Sequence, residues 1–245
     1  KDLNLTSNER LFLESRSPFD PLKYPDFKPK GFKIYTFNAG FKKKLDDLLI
    51  IIFDEVINIA NIYSKTTTPS APIIWDKKNN KGRVKALIVN SGNANAHTGI
   101  KGINLIDKYI KFLSKTINCK KNEVFVSSTG VIGELFDSKL IIDQIINMQN
   151  TKTKSLIDAA KSIMTTDTYP KVSIKKIKIG NKQLKIYGIA KGSGMINPNM
   201  GTMLAYIFIE ASLSKSILYK LLKNNFDNTF NSISVDGDTS TSDTL

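Results

Sequence analysis

The sequence predicts a layered α/β (α+β) sandwich of mixed sheets flanked by helices, and three observations carry that expectation. Short apolar runs such as Leu48–Phe53 and Met203–Ile209 recur along the 245 residues, as buried strands do. Segments with apolar residues at helical spacing, such as Leu105, Ile106, Tyr109, Ile110 and Leu113, alternate with them. The alternation lacks the strict βαβ order of a doubly wound sheet, which leaves stacked sheets and helices.

In order along the chain, residues 1–30 read as an extended arm, because Pro18, Pro21, Pro25 and Pro29 interrupt any regular element. Leu48–Phe53 and Val56–Tyr63 are expected as two paired strands. Pro69 and Pro72 mark a turn from which a short helix can start. Val84–Val89 predicts a buried strand that ends in the turn-rich run Asn90–Asn95. The helix carrying Leu105 to Leu113 follows, and then a short strand, Val124–Val126, closed by Ser127-Ser-Thr-Gly130. Asp137 or Ser138 can cap a helix that buries Ile141, Ile145 and Met148. Leu156, Ala159, Ala160 and Ile163 define another helix. Val172–Ile179 and Leu184–Ile189 form a hairpin through Gly180-Asn181, and a glycine-rich loop from Lys191 to Thr202 leads into Met203–Ile209. One more helix (Ile217, Leu218, Leu221, Leu222) and one more strand (Ile233, Val235) complete the expectation. The chain stops after a loop and reads as truncated.

Composition excludes several classes of function. With 41% hydrophobic and 24% charged residues, disorder is a poor reading. No apolar run approaches the roughly eighteen residues of a membrane span, and no secretory leader is visible. A single cysteine, Cys119, permits no internal disulfide, which fits a reducing, cytoplasmic setting. A single histidine, His97, leaves too few ligands for a zinc site of His and Cys. A Ser-His-Asp or Cys-His site would have to use His97, so a hydrolase or transferase built on this chain is expected to activate its nucleophile without histidine. The net charge of +14 comes mostly from dispersed lysines. Without a nucleic-acid-binding motif beside it, that charge reads as a solvated surface that attracts anionic metabolites. The acidic run Asp236-Gly-Asp238 lacks the spacing of a calcium loop and reads as a structural turn.

The segment Lys191-Gly-Ser-Gly-Met through Pro198-Asn-Met-Gly201-Thr202-Met-Leu204 carries the most chemistry. No Gly-Lys-Ser/Thr closes it, so it is not a phosphate-binding loop. A threonine directly after a glycine, at the mouth of a buried strand, can instead be freed as a new N-terminus. Its α-amine, with an ordinary pKa of about 8, then serves as base toward its own hydroxyl, and no imidazole is needed.

This segment resembles the self-cleavage region of the ornithine acetyltransferase family, the glutamate N-acetyltransferases of arginine biosynthesis. Four further stretches resemble the same family in the same order: Ala86-Leu-Ile-Val-Asn90-Ser-Gly-Asn-Ala-Asn95 with Thr98-Gly99; Ser128-Thr-Gly130-Val-Ile-Gly133-Glu134; Met164-Thr-Thr-Asp-Thr168-Tyr-Pro-Lys171; and Val235-Asp-Gly-Asp-Thr-Ser-Thr241 with Asp243-Thr244. The resemblance runs from about Gly31 to the end.

The resemblance implies a self-cleaving architecture like that of N-terminal nucleophile enzymes, cut between Gly201 and Thr202. An α chain of residues 31–201 and a β chain starting at Thr202 would stay associated, pairing into an α2β2 heterotetramer, with residues 202–245 only the start of the β chain. It implies Thr202 as the nucleophile that takes acetyl from N2-acetylornithine and passes it to glutamate in a ping-pong cycle. Thr129 and Gly130 match the oxyanion-stabilising pair, and Thr168 and Lys191 match substrate contacts, with Thr165 or Thr166 as alternatives to Thr168. No metal or organic cofactor is implied; acetyl-CoA is a possible additional substrate. The family usually has alanine at the position of Gly201. It also draws a glutamate, an asparagine and a hydroxyl residue from parts of the β chain beyond these 245 residues. Two other readings stand beside this one: an N-terminal-nucleophile aminopeptidase or amidase of related fold, and a basic nucleic-acid-binding protein. Metabolite partners are expected, not nucleic acid or membrane.

Overall fold

The computed structural model describes residues 27–196, 203–238 and 240–245. Gly201 and Thr202, and most of the expected N-terminal arm, lie outside the described residues. Among the described residues seven strands form two sheets. The first contains β1 (Phe32–Phe37), β2 (Leu48–Asn58), β3 (Arg83–Asn93) and β4 (Val124–Val131) in spatial order β1-β2-β3-β4; the second contains β5 (Lys171–Ile179), β6 (Lys182–Lys191) and β7 (Leu204–Ile209) in order. All pairings are antiparallel except β3–β4, which is parallel. That parallel pair needs a crossover, and the amphipathic helix α2 (Gly99–Thr116) supplies it.

Period-2 alternation explains why the first sheet is apolar on both faces. Leu49 and Ile51 of β2, Leu87 and Val89 of β3, and Phe125 of β4 pack toward the second sheet. There they meet Val172, Tyr187, Ile189 and Leu204, with Leu156, Ala159, Ala160 and Ile163 from and just after helix α4 (Leu156–Ser162). The intervening residues Leu48, Ile50, Ala86, Ile88, Val124 and Val126 face the other way. They pack against Ala71 and Trp75 of α1 (Ala71–Asn79), Leu105 to Leu113 of α2, and Ile141 and Ile145 of α3 (Lys139–Asn147). The result is three layers: helices, four-stranded sheet, three-stranded sheet. The fifth α-helix among the described residues, α5 (Lys215–Phe226), buries none of its residues.

Four expectations need correction. Leu48–Phe53 and Val56–Tyr63 are not two paired strands; one long strand, β2, runs to Asn58 with a register shift between Ile52 and Ile57, and Val56 to Asn58 merely continue it. The polar run Asn90–Asn93 is not yet a turn but the end of β3, and Ser127–Gly130 is strand, not its closure. Pairing between the two segments satisfies their backbone groups despite turn-type side chains. Ile233 and Val235 form no strand; Val235 makes an isolated bridge to Ile196. Strand β1 went unpredicted, because Lys33, Tyr35 and Thr36 break up its apolar residues.

Candidate active site

Thr129 and Gly130 sit at the end of β4, an edge strand, beside Ser91 and Gly92 of β3. The register slips at Asn93, which pairs with both Thr129 and Val131. Gly130 has φ +129°, and a Cβ placed there would lie 2.3 Å from the Gly92 carbonyl carbon. No side chain fits, so the two backbones approach as closely as glycine allows. Side chains brace the same strand ends. Ser128 Oγ donates to Asn90 Oδ1 (2.6 Å) and Asn90 Nδ2 donates to the Asn93 carbonyl (2.8 Å). Thr129 itself is buried, whereas Gly130 is exposed.

Lys191 ends β6 and is only 2% exposed. Its Nζ donates to Thr165 Oγ1 at 3.1 Å. Burial pushes its pKa down to about 8, against the opposing attraction of Asp167 and Asp243. Of the three threonines considered around position 168, Thr165 therefore meets Lys191, Thr166 shares a hydrogen bond with Ser193 (2.8 Å), and Thr168 is half-buried nearby in sequence.

Three residues that sequence reasoning did not single out complete the surroundings. Asp167 accepts from Gly192 N (2.8 Å) and Thr165 N (3.2 Å) and pairs with Lys171 (2.5 Å). Burial opposes its ionisation, but Lys171 and these N–H groups outweigh it and hold the carboxyl below the ordinary range. Lys42 reaches across to the carbonyls of Met164 (2.6 Å) and Ser162 (3.4 Å). Burial lowers its pKa to about 8 as well, opposed chiefly by Asp47. Asp243, 1% exposed, accepts from Met203 N through Oδ1 at 2.5 Å. Burial raises its carboxyl to about 7, while the Met203 N–H and Lys191 pull the other way. The sequence offered one hint: Asp167 and Asp243 lie within motifs already noted, inside polar runs without periodicity.

A continuous path of contacts joins these groups. Thr129 pairs with Ser91, whose Oγ donates to the Ser162 carbonyl (2.5 Å); Lys42 holds Met164 next along; Thr165 meets Lys191; and Lys191 pairs with Leu204 on β7. Beside Leu204, Met203 is fixed from both sides, since its carbonyl accepts from Thr244 N (3.1 Å) while its N–H goes to Asp243. Cys119 and His97 take no part. The Asp236 carboxylate is committed to the backbone N–H groups of Met195 (2.8 Å) and Asp238 (3.3 Å), as a turn requires.

The ArgJ family profile matches residues 33–245 of this sequence, which covers β1 to the end of the chain. The chain belongs to the ArgJ family. Among its relatives are two proteins named arginine biosynthesis bifunctional protein ArgJ. That of Bradyrhizobium diazoefficiens is 41% identical over 94% of this chain and 57% of its own length; that of Agrobacterium fabrum is 42% identical over 94% and 56%. This ArgJ-family chain therefore spans a little over half of the length of the curated relatives it matches. The crystal structure of arginine biosynthesis bifunctional protein argJ from Bacillus halodurans superimposes with a TM-score of 0.64 at 32% identity, over 69% of this chain and 91% of that one. Ornithine acetyltransferase from Mycobacterium tuberculosis, at 24% identity and a TM-score of 0.58, shares the fold. Among the described residues no helix is long and apolar enough to cross a membrane.

Proposed function

We propose that this chain forms part of a glutamate N-acetyltransferase that moves acetyl from N2-acetylornithine to glutamate through an acetyl-Thr202 enzyme. The observation that carries the reading is the path of contacts from Thr129 to Met203. It ties the end of β4 to the residue that follows Thr202, across two sheets and 74 positions of sequence. Family membership supports it.

The reaction divides into two stages. In the cut, Thr202 Oγ adds to the Gly201 carbonyl, the Gly201–Thr202 C–N bond breaks as the hydroxyl proton passes to the nitrogen, freeing the α-amine and leaving an ester on Oγ, and water hydrolyses that ester to release the Gly201 carboxylate and the Thr202 hydroxyl. In transfer, the amine takes the Thr202 hydroxyl proton as Oγ attacks the acetyl carbon of N2-acetylornithine. The proton passes to the departing ornithine nitrogen. The glutamate amine then attacks the acetyl-threonine and its surplus proton returns to Oγ. The Thr129 hydroxyl and the Gly130 N–H would receive the negative charge on the acetyl oxygen, and loss of one such donor raises the barrier by roughly 3 kcal/mol. The Lys191 ammonium suits a substrate carboxylate, and Thr168 or Thr165 a polar contact beside it. No metal or organic cofactor enters this scheme. The relatives' name, bifunctional, is consistent with acetyl-CoA as a second acetyl donor. The two pieces would remain together as an α2β2 heterotetramer in the cytoplasm.

Mass measurement under denaturing conditions tests this on the full gene product. Two fragments meeting at Gly201/Thr202, with glutamate-dependent acetyl transfer, are expected. Thr202→Ala leaves one uncut, inactive chain. A wild-type chain that stays intact yet transfers acetyl overturns the mechanism.

A further inference from the structure

We propose that Lys42 is a positioning residue for the substrate carboxylate, acting through the Met164–Thr165 peptide on the Lys191 ammonium. The inference rests on the reading above, because it takes Lys191 as the group that receives the carboxylate.

Charged side chains grip the Met164–Thr165 peptide at both ends. Its carbonyl accepts from Lys42 Nζ at 2.6 Å, and its N–H donates to Asp167 Oδ2 at 3.2 Å. The side chain that this peptide places, Thr165, accepts from Lys191 Nζ through Oγ1 at 3.1 Å. Asp167 steadies Lys191 as well, since its Oδ1 accepts from the N–H of the next residue, Gly192, at 2.8 Å. Thr165 and Lys191 therefore lean on one carboxylate, while Lys42 fixes the other end of the peptide. A peptide unit is planar, so pinning both its oxygen and its nitrogen leaves the Thr165 hydroxyl little freedom.

Lys42 is itself built in. It stands in the loop between β1 and β2, where Asp47 Oδ2 accepts from its backbone N–H (2.8 Å) and Asn38 Nδ2 donates to its carbonyl (3.1 Å). Asp47 is fully buried; its Oδ1 accepts from Ala39 N (2.7 Å) and its carbonyl from Ser91 N (2.8 Å). The loop is thereby tied to Ser91, which pairs with Thr129.

A cation at a helix C-terminus is stabilising, and capping α4 would be a purely structural task. The distances point past the helix. Nζ lies 3.4 Å from the carbonyl of Ser162, the last residue of α4, and that oxygen already accepts from Ser91 Oγ at 2.5 Å. The shorter bond goes to Met164, beyond the helix end. Asp46 and Asp47 of its own loop, Asp167 and Lys191 are the charges around Lys42.

Without the Lys42 ammonium the Met164 carbonyl loses this donor and the peptide is free to turn. Thr165 Oγ1 then moves off Lys191, whose ammonium no longer points where a carboxylate arrives. N2-acetylornithine and glutamate both carry an α-carboxylate, so both lose the same contact. That contact is made equally before and during the chemical step, so its loss weakens binding and leaves the bond changes at the acetyl carbon alone.

The experiment measures initial rates of acetyl transfer by the full-length enzyme, with each substrate varied in turn, for wild type, Lys42→Met and Lys42→Arg. In Lys42→Met the KM for both substrates is expected to rise about tenfold, the scale of a lost hydrogen bond to a charged group, with kcat within about twofold of wild type. Lys42→Arg, which keeps the cation, restores most of the loss. Thr165→Val separates this route from support of the fold. In that background Lys42→Met should raise KM by less than about twofold more, because the link to Lys191 is already cut. An undiminished rise there, or a fall in kcat at unchanged KM, means that Lys42 only props α4 and overturns the proposal. Should Lys42→Met fail to fold, Lys42→Gln is measured against the same outcomes. A wild-type enzyme that transfers no acetyl defeats the functional reading itself, whatever the variants do.

Discussion

The middle of strands β3 and β4 and their far ends belong to the same two segments of chain, yet they are held by opposite means. In the middle, Leu87, Ile88, Val89, Phe125 and Val126 are all almost fully buried, and apolar surface meets them on both faces. At the ends, Asn90, Ser91, Ser128 and Thr129 are just as buried, but polar bonds and nearby charges replace apolar contact. Removing area is the way to damage the middle; at the end it is the loss of a partner, or the intrusion of a single carbon. The comparison teaches that burial alone does not distinguish a core from a site.

The severest test of that contrast is Gly130→Ala. Its new Cβ would meet backbone at 2.3 Å with φ at +129°, and we expect a stability loss of roughly 4 kcal/mol or more, read from urea unfolding. A loss below about 1 kcal/mol would show that the β3–β4 ends can part without cost. Next comes Leu49→Ala, which leaves a cavity between the sheets where Leu49 is 0% exposed. A drop of about 3 kcal/mol is expected, with an unchanged acid limb for acetyl transfer.

Lys191→Met makes the smallest change in stability at neutral pH and sharpens the comparison through its pH dependence. The folded pKa of Lys191 is lowered to about 8 from 10.5. Between those values the unfolded chain binds more protons than the folded one, so Lys191 makes stability rise with pH across that window and contributes no slope below it. The stability of wild type relative to Lys191→Met should therefore climb from pH 8 to 10.5, by on the order of 3 kcal/mol, and be flat from pH 6 to 7.5. Parallel curves throughout would mean that Lys191 is not a buried cation. Acetyl transfer by Lys191→Met should be lost at every pH.

The layered α/β class, the helices α2 to α5 and the β5–β6 hairpin were legible because periodicity records which face is buried. β1 was missed because Lys33, Tyr35 and Thr36 interrupt its apolar residues, although Phe32, Ile34 and Phe37 are buried. The polar ends of β3 and β4 were misread as turns because Asn, Ser and Gly favour turns when no neighbouring strand offers a ladder. Of the candidate site, Thr129, Gly130, Thr168, Lys191, Gly201 and Thr202 were named through family resemblance. Asp167, Asp243 and Lys42 were not.

By itself the sequence determined the class of fold, the two-sided apolar character of β2 and β3, and the shortage of histidine and cysteine that turns attention to a threonine. Those follow from local composition and spacing, which a chain carries whether folded or not. Only the tertiary structure decided that Lys42, some 120 positions from Ser162 and Met164, caps their carbonyls, and that Asp243 holds Met203 from 40 positions away. A charge becomes a buried partner only when distant segments exclude water together, and no window of sequence contains that event.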